Sequence, residues 1–459
     1  MKQMISITSI TSITSITSMI ARYFVRYKVE IFIFIFALAF IALFIKPKPI
    51  GWNIYSHMAT IDSLVERGTF AMDDSFYVNG TGDKVISNGH YYSHKPPVLP
   101  FLLSAVWAIT HNYINGYYWF MLLTNGVVFA LIVLYLYKLC GLFNFSPHTK
   151  LYLTFCFSLG TYVFPYSVAL NNHLFAMFLT LLIFYFVVKL TLLTSKKLLS
   201  QSYGRFFFFI FGLVGGLLAV IEMVPLATII PFVVIYIFFF QREYRTLRLI
   251  ISFLIGLSLP IILHLVINVP LIGDWKPGGL HPELYSYPGA FGQSSLSGFF
   301  NHSDLTVFLK YCYDCLIGWK GFFVFSPILL IAFVCGIFQL VRVKSKRPVG
   351  ILIVVFAVIV ASLGWALCFT NNYGGDCFGF RHAMFVTPLF LIPILYFLEN
   401  NRYKNFILVA IIPIVFISCA FMVSGVRDPW TNINGPKRLL SVAVNTAVSD
   451  YITLAKYKF

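Results

Sequence analysis

"NGHYYSHKPPVLPFLL", Asn88 to Leu103, sets two histidines, two tyrosines and a lysine against a tandem proline, in a chain that is 59% hydrophobic. Its reading decides the fold, because the apolar run from Pro96 to Thr110 either crosses a membrane or closes an outer loop. The run is about half a dozen residues short of the roughly 20 that a helix needs to span a bilayer, and no positive cluster flanks it. It therefore reads as an interfacial or re-entrant helix. Pro96-Pro97 disfavours helical geometry at Lys95, so the helix begins after the lysine and the ammonium is aimed from an extended segment.

Working outward, the 459 residues include only 11% charged side chains, far below the roughly 25% of soluble domains. Apolar runs near 29–46, 117–137, 150–169, 174–193, 206–221, 224–240, 249–269, 321–341, 349–369, 384–398 and 405–424 make an all-α polytopic membrane protein of about eleven transmembrane helices. The net charge of +17 does not point to nucleic acid, because the basic residues sit in short loops between alternate spans. These are Arg22/Arg26/Lys28, Lys138 with Lys150, Lys189/Lys196/Lys197/Arg205, Arg242/Arg245/Arg248, Arg342/Lys344/Lys346/Arg347 and Arg402/Lys404. The positive-inside rule makes all of them cytoplasmic, which puts the N-terminus inside and the C-terminus outside.

Residues 1–28, with the repeat "ISITSITSITSITS", read as a low-complexity cytoplasmic tail, with a weak interfacial segment as the alternative and Met19 as a plausible start. Residues 29–424 form the transmembrane domain and 425–459 an extracytoplasmic tail. The outer face holds loops at about 47–116, 270–320 and 370–383, and most of the sixteen carboxylates fall there. The first loop is a small mixed unit. Ile54, Met58, Ile61 and Leu64/Val65 recur at helical spacing before Gly68, as in an amphipathic helix on the membrane surface. Short β-prone runs with turns at Asn79-Gly80 and Asn88-Gly89 follow. Gly212 and Gly216 form a GxxxG for close helix packing. Cys312 and Cys315 lack a partner pair for zinc and read as packing, whereas Cys368 and Cys377 flank one outer loop and pair if their compartment oxidises. No metal-ligand cluster stands out.

Several residues carry candidate chemistry. Lys95 at headgroup depth suits a lipid phosphate, and equally suits snorkelling to ordinary headgroups. In "NNYGGDCFGFRH" two glycines turn the chain, Asp376 offers a carboxylate and Arg381 a forked cation for phosphate oxygens; an Asp376–Arg381 ion pair is the alternative. Glu222 is costly near the end of a span unless partnered, and either holds a sugar hydroxyl or pairs with His173. His264 reads as a core histidine. "GDWKPGGLHPELYSYPGAFG" has the aromatic and Gly/Pro content of a sugar-facing loop or of an aromatic belt.

"LVERGTF", "TGDK", "NGHYYSHK", "GFFVFSPILL" and "GGDCFGFRHAMFVTPLF", in that order, resemble motifs of GT-C glycosyltransferases. These are the multi-span enzymes that include the aminoarabinose and protein O-mannosyl transferases, and a bacterial branch of GT-C-like proteins is the most similar. The resemblance runs from about Asn53 to Leu395. It implies transfer of a sugar from a polyprenyl-phosphate donor to an envelope glycan, lipid or protein, on the outer face of a bacterial cytoplasmic (inner) membrane, with no cofactor beyond the donor. It gives Lys95 the donor phosphate, with His94 and Arg381 assisting, and Asp376 and Tyr92 of its motifs, together with Glu222 and His173 outside them, are candidates to face sugar or acceptor. Where the superfamily carries an acidic base after its first span, this chain has Asn53. The role of base then passes to Asp62, Asp73, Asp74 or Asp83, with Asp83 favoured because it belongs to the "TGDK" match. A transporter or flippase for a lipid-linked substrate, and an inactive lipid-binding scaffold, are the competing readings.

Overall fold

The computed structural model describes residues 27–192, 201–240, 246–288, 304–342, 346–370, 372–427 and 429–430, with 290 and 302 as single positions. The terminal tails expected at 1–28 and 425–459 lie almost wholly outside these residues, as do Lys196, Lys197, Arg242, Arg245 and Lys344 of the basic loops.

Among the described residues six helices are each long and apolar enough to cross a membrane: Gly116–Cys140, Asn172–Leu192, Gly204–Ile221, Leu247–Ile272, Val349–Phe369 and Arg381–Glu399. The pair Lys404–Ala410 and Ile412–Arg427, bent by 42°, makes a seventh. The chain is a multi-pass membrane protein. The remaining expected spans are also helical, but shorter or broken. Residues 27–42 form the first helix, α1, 150–169 divides into Pro147–Leu159 and Val163–Ser167, and 224–240 breaks at Ile229. Pro327–Arg342 starts several residues later than the sequence suggests, because 318–326 is a series of turns.

The GxxxG works as expected. A Cβ on Gly212 would run into the Phe253 carbonyl and one on Gly216 into the Leu257 carbonyl, while across the pair Gly256 faces the backbone of Phe209. The helices Gln201–Ile221 and Leu247–Ile272 therefore meet backbone to backbone. The outer side of Leu247–Ile272 exposes Leu254, Ile255, Leu259, Ile262 and Val266, as a helix facing lipid would. At its end His264 Nε2 lies 2.8 Å from the Trp275 carbonyl and Asn268 Nδ2 donates to the carbonyls of Asp274 and Lys276, so His264 is a buried histidine held through Nε2, with its Nδ1 unpaired.

Several basic turns gather at one end of the bundle. Asn144 N–H donates to Glu399 at 3.2 Å, Lys404 lies 6.0 Å above the Phe145 ring, and Arg342 and Arg402 line one cleft with Tyr403. The opposite end carries the extramembrane unit. There α2 (Trp52–Arg67) begins after Gly51 and stops at Gly68, whose φ of +66° is the left-handed turn that glycine allows. The antiparallel strands β1 (Lys84–Ser87) and β2 (His90–Ser93) follow, joined by Asn88-Gly89 with φ of +51° and +80°, the turn this dipeptide favours. The helix α3 (Val98–Thr110) starts after the tandem proline, as anticipated.

The expected surface helix differs in one respect. Instead of one wet face, α2 buries Asn53, Ser56, His57, Thr60 and Ser63 as well as Ile54, Met58 and Ile61. The hairpin end covers it at Ser56, Met72 and Val78 pack against Ala59, and α3 packs along it. Cys368 and Cys377 are both free, so the conditional disulfide is not formed. The Cys377 thiol instead lies 3.2 Å from the Gly374 carbonyl, and Cys315 is buried as packing.

Candidate functional site

The hairpin register builds the centre of the site. Lys84 pairs with Ser93, so the residues just outside the ladder, Asp83 and His94, face each other, and His94 N–H reaches the Asp83 carbonyl at 3.4 Å. Lys95 follows immediately. Its ammonium and His94 Nε2 lie 3.4 Å and 3.5 Å from the same carboxylate oxygen of Asp83. Ser56 fastens this corner to α2: its hydroxyl donates to the Asp83 carbonyl at 2.6 Å and lies 2.7 Å from Ser93 Oγ, which accepts from Lys95 N–H at 3.1 Å. Thr81 ties the other side, donating to the Trp52 carbonyl and accepting from Asp83 N–H, each at 2.9 Å.

The second outer loop clamps the histidine. Gly279 N–H donates to the His94 carbonyl at 2.9 Å and the Tyr285 hydroxyl lies 2.9 Å from His94 Nδ1. Tyr287 donates to the Gly82 carbonyl at 2.9 Å and meets Tyr91 edge-on. The aromatic content of this loop thus docks on the first loop.

The third loop brings Arg381. Tyr373, Gly374, Gly375 and Gly379 all have positive φ, and a Cβ on Gly379 would strike the Tyr162 ring, so this turn needs its glycines. Lys320, 1% exposed, donates to the carbonyls of Gly375 and Cys377, both at 2.7 Å, and the Tyr166 hydroxyl donates to the Phe378 carbonyl at 2.9 Å. Arg381 emerges from this clamp under the indole of Trp430, 5.3 Å from its ring, and its Nε is buried with no hydrogen-bond partner. Glu222 accepts from Asn172 Nδ2 at 2.5 Å and lies 3.0 Å from His173 Nδ1, the pairing foreseen as one of two options.

These charges act on one another. Burial alone would raise the Asp83 carboxyl, but His94, Lys95 and Arg381 outweigh it and hold its pKa well below the carboxylate range. Burial and the neighbouring Lys95 push His94 down to about 3, against the pull of Asp83, so it is neutral at pH 7. Burial also lowers Lys95, opposed by Asp83 and reinforced by Arg381, with Glu222 within electrostatic reach. The result is a poorly hydrated ammonium within electrostatic reach of a guanidinium, an arrangement that favours an incoming anion with oxygens to share.

Of the residues singled out in the sequence, Asp83, His94, Lys95, Arg381, Glu222 and His173 converge here. The other carboxylates do not. Asp62 pairs with Arg67 at 3.0 Å and accepts from Ser75 at 2.8 Å. Asp73 accepts from Tyr91 N–H and lies against His90, both at 3.2 Å. Asp74 and Asp376 are exposed, and Tyr92 lies on the opposite face of β2 from Tyr91. Sequence reading missed His57, buried on α2 within electrostatic reach of Asp83, His94 and Lys95, and also Ser56, Lys320 and Tyr285. His57 stands one helical turn from Asn53, off the apolar stripe, and that spacing was its only signal. Among the described residues no group of three or more His, Cys, Asp or Glu side chains is placed to hold a metal ion.

No protein-family model and no curated protein matches the chain. Solved structures do. The chain is similar to the oligosaccharyltransferase of Archaeoglobus fulgidus tethered to an acceptor peptide containing the NVT sequon, with TM-score 0.52 and 12% identity over 87% of this chain. It spans just over half, 56%, of that larger protein. It is also similar to ArnT of Cupriavidus metallidurans bound to undecaprenyl phosphate, with TM-score 0.51 and 11% identity over 92% of this chain and 74% of that one. The chain shares the fold of these two membrane proteins, in line with the GT-C-like fold that its motifs led us to expect.

Proposed function

We propose that this chain transfers a sugar from a polyprenyl-phosphate donor to an envelope acceptor, at the extracytoplasmic face of a bacterial cytoplasmic membrane. The observation that carries the reading is the largely but not fully buried Lys95 ammonium, its side chain 13% exposed, shared with Asp83 and backed by Arg381, at the head of a short apolar helix. A cation so placed meets a headgroup phosphate whose lipid tail lies along α3. The neighbour that binds undecaprenyl phosphate, ArnT, supports this choice of ligand, as does the wider likeness to a second sugar transferase.

In the reaction the acceptor oxygen attacks the anomeric carbon and the bond from that carbon to the phosphate oxygen breaks. The phosphate leaves with the electron pair and gains negative charge. Lys95 and Arg381 take up that charge in a site with little water, where it counts for more than in solution. Asp83 orients Lys95 and His94, and Tyr285 fixes the His94 ring. Glu222, held by Asn172, is within reach to balance the cations and to receive sugar hydroxyls. Basic turns at the far end and the outer site at this one support a cytoplasmic N-terminus.

The test is transfer itself. Purified protein supplied with undecaprenyl-phosphate sugars and an isolated envelope fraction releases undecaprenyl phosphate, and Lys95→Ala lowers the release about 100-fold. Release at an unchanged rate in Lys95→Ala contradicts the reading.

A further inference from the structure

Asn53 and His57 stand one turn apart on α2 and are 3% and 1% exposed. Both amide atoms of Asn53 and both ring nitrogens of His57 lack a hydrogen-bond partner. Four unpaired polar atoms on one buried face are expensive, and a fold that only needed packing there would fill the face with apolar side chains. The face is also fixed in direction. Ser56, between the two, is bound to the Asp83 carbonyl and to Ser93, so α2 cannot rotate away from the corner that holds Lys95. The charged or titratable groups acting on His57 are Lys95, His94, Asp83 and His173, so the face lies within electrostatic reach of the Lys95 corner.

We propose, resting on the transferase reading above, that the Asn53–His57 face is the subsite for an acceptor alcohol, and that His57 takes the proton of its hydroxyl. As the hydroxyl oxygen bonds to the anomeric carbon, the bond from that carbon to the phosphate oxygen breaks. The electron pair leaves with the lipid phosphate and the hydroxyl proton passes to an imidazole nitrogen. The Asn53 amide, with one donor and one acceptor side, holds the same hydroxyl in line.

The electrostatics suit this division of labour. Burial first and then Lys95 push His57 down to about 3, against the pull of Asp83, so at neutral pH it is a free hydrogen-bond acceptor. A weak base suffices in a substitution of oxocarbenium character, because the attacking oxygen becomes strongly acidic once its bond to carbon forms. Negative charge growing on the adjacent phosphate raises the proton affinity of the imidazole at that moment. Asp83 is the poorer base, since two cations and His94 hold it in its ionised form. A neutral imidazole with a carboxamide also narrows the acceptor to an alcohol, such as a sugar or lipid hydroxyl.

The experiment uses the full chain in detergent, with undecaprenyl phosphate as the binding probe and undecaprenyl-phosphate sugars with an envelope fraction as the transfer assay. In His57→Gln, undecaprenyl phosphate binds within about twofold of wild type, whereas transfer falls about 100-fold, the loss of one general base. In His57→Ala, added imidazole restores part of the transfer, which a merely unfolded variant would not do. Wild-type transfer in His57→Gln overturns the inference and leaves the transferase reading standing. So does joint loss of binding and transfer in both variants with no rescue by imidazole. A wild-type protein that neither binds undecaprenyl phosphate nor releases it removes the transferase reading, and this inference with it.

Discussion

The two ends of the bundle use the same residue types to different effect. At the end formed by the basic turns, Arg342 and Arg402 are exposed beside Tyr403, and the Arg402 guanidinium rests on its neighbour's ring at 4.9 Å. At the other end Lys95, Lys320 and Arg381 are drawn inward and held by Asp83, by two backbone carbonyls and by the Trp430 indole. Exposed cations keep their hydration and serve orientation. Buried ones have given it up, and their charge is available to a ligand or to the fold.

The sharpest break in that comparison is Lys95→Ala against Arg402→Ala. The first loses a charge-assisted contact of about 2.5 kcal/mol, so transfer falls about 100-fold; the second stays within about twofold of wild type. Release of undecaprenyl phosphate measures both. Next comes Lys320→Met, which leaves the Gly375 and Cys377 carbonyls without their donor. It lowers stability by about 2 kcal/mol, seen as earlier thermal unfolding in detergent.

Acid sharpens the comparison further. His57 and His94 take up protons only near pH 3 when folded, against an ordinary value of 6.5, so between those limits the unfolded chain binds more protons. Stability is full above about pH 6.5 and falls as pH drops, with a slope of up to about 1.4 kcal/mol per unit for each histidine. Asp83, depressed rather than raised, adds stability above its unfolded value of 3.8 that is lost only as pH falls below it. Unfolding midpoints at pH 7 and pH 5 check the slope, which His57→Gln reduces. Arg342→Ala, at the exposed end, changes stability by less than about 0.5 kcal/mol at either pH.

What was legible in the sequence is local. The Asn88-Gly89 turn, the stop at Gly68, the tandem proline after Lys95 and the Gly212/Gly216 contact follow from residues a few positions apart. What was hidden depends on distant partners: Ser56 meets Asp83 across 27 residues, Lys320 meets Cys377 across 57 and His94 meets Tyr285 across 191. Apolar length located the helices but not their breaks, because a turn such as that after Leu159 is itself buried and apolar. The amphipathic reading of α2 failed for a related reason. Its polar face looked wet, yet the hairpin and its neighbours cover it and convert Asn53 and His57 from surface residues into unpaired interior ones.

The central claim is that the buried cations receive a lipid phosphate, and direct binding of undecaprenyl phosphate to the purified chain tests it. The account predicts binding that weakens by more than about tenfold in Lys95→Ala and is unchanged in Arg402→Ala. Equal affinity in wild type and Lys95→Ala would contradict it.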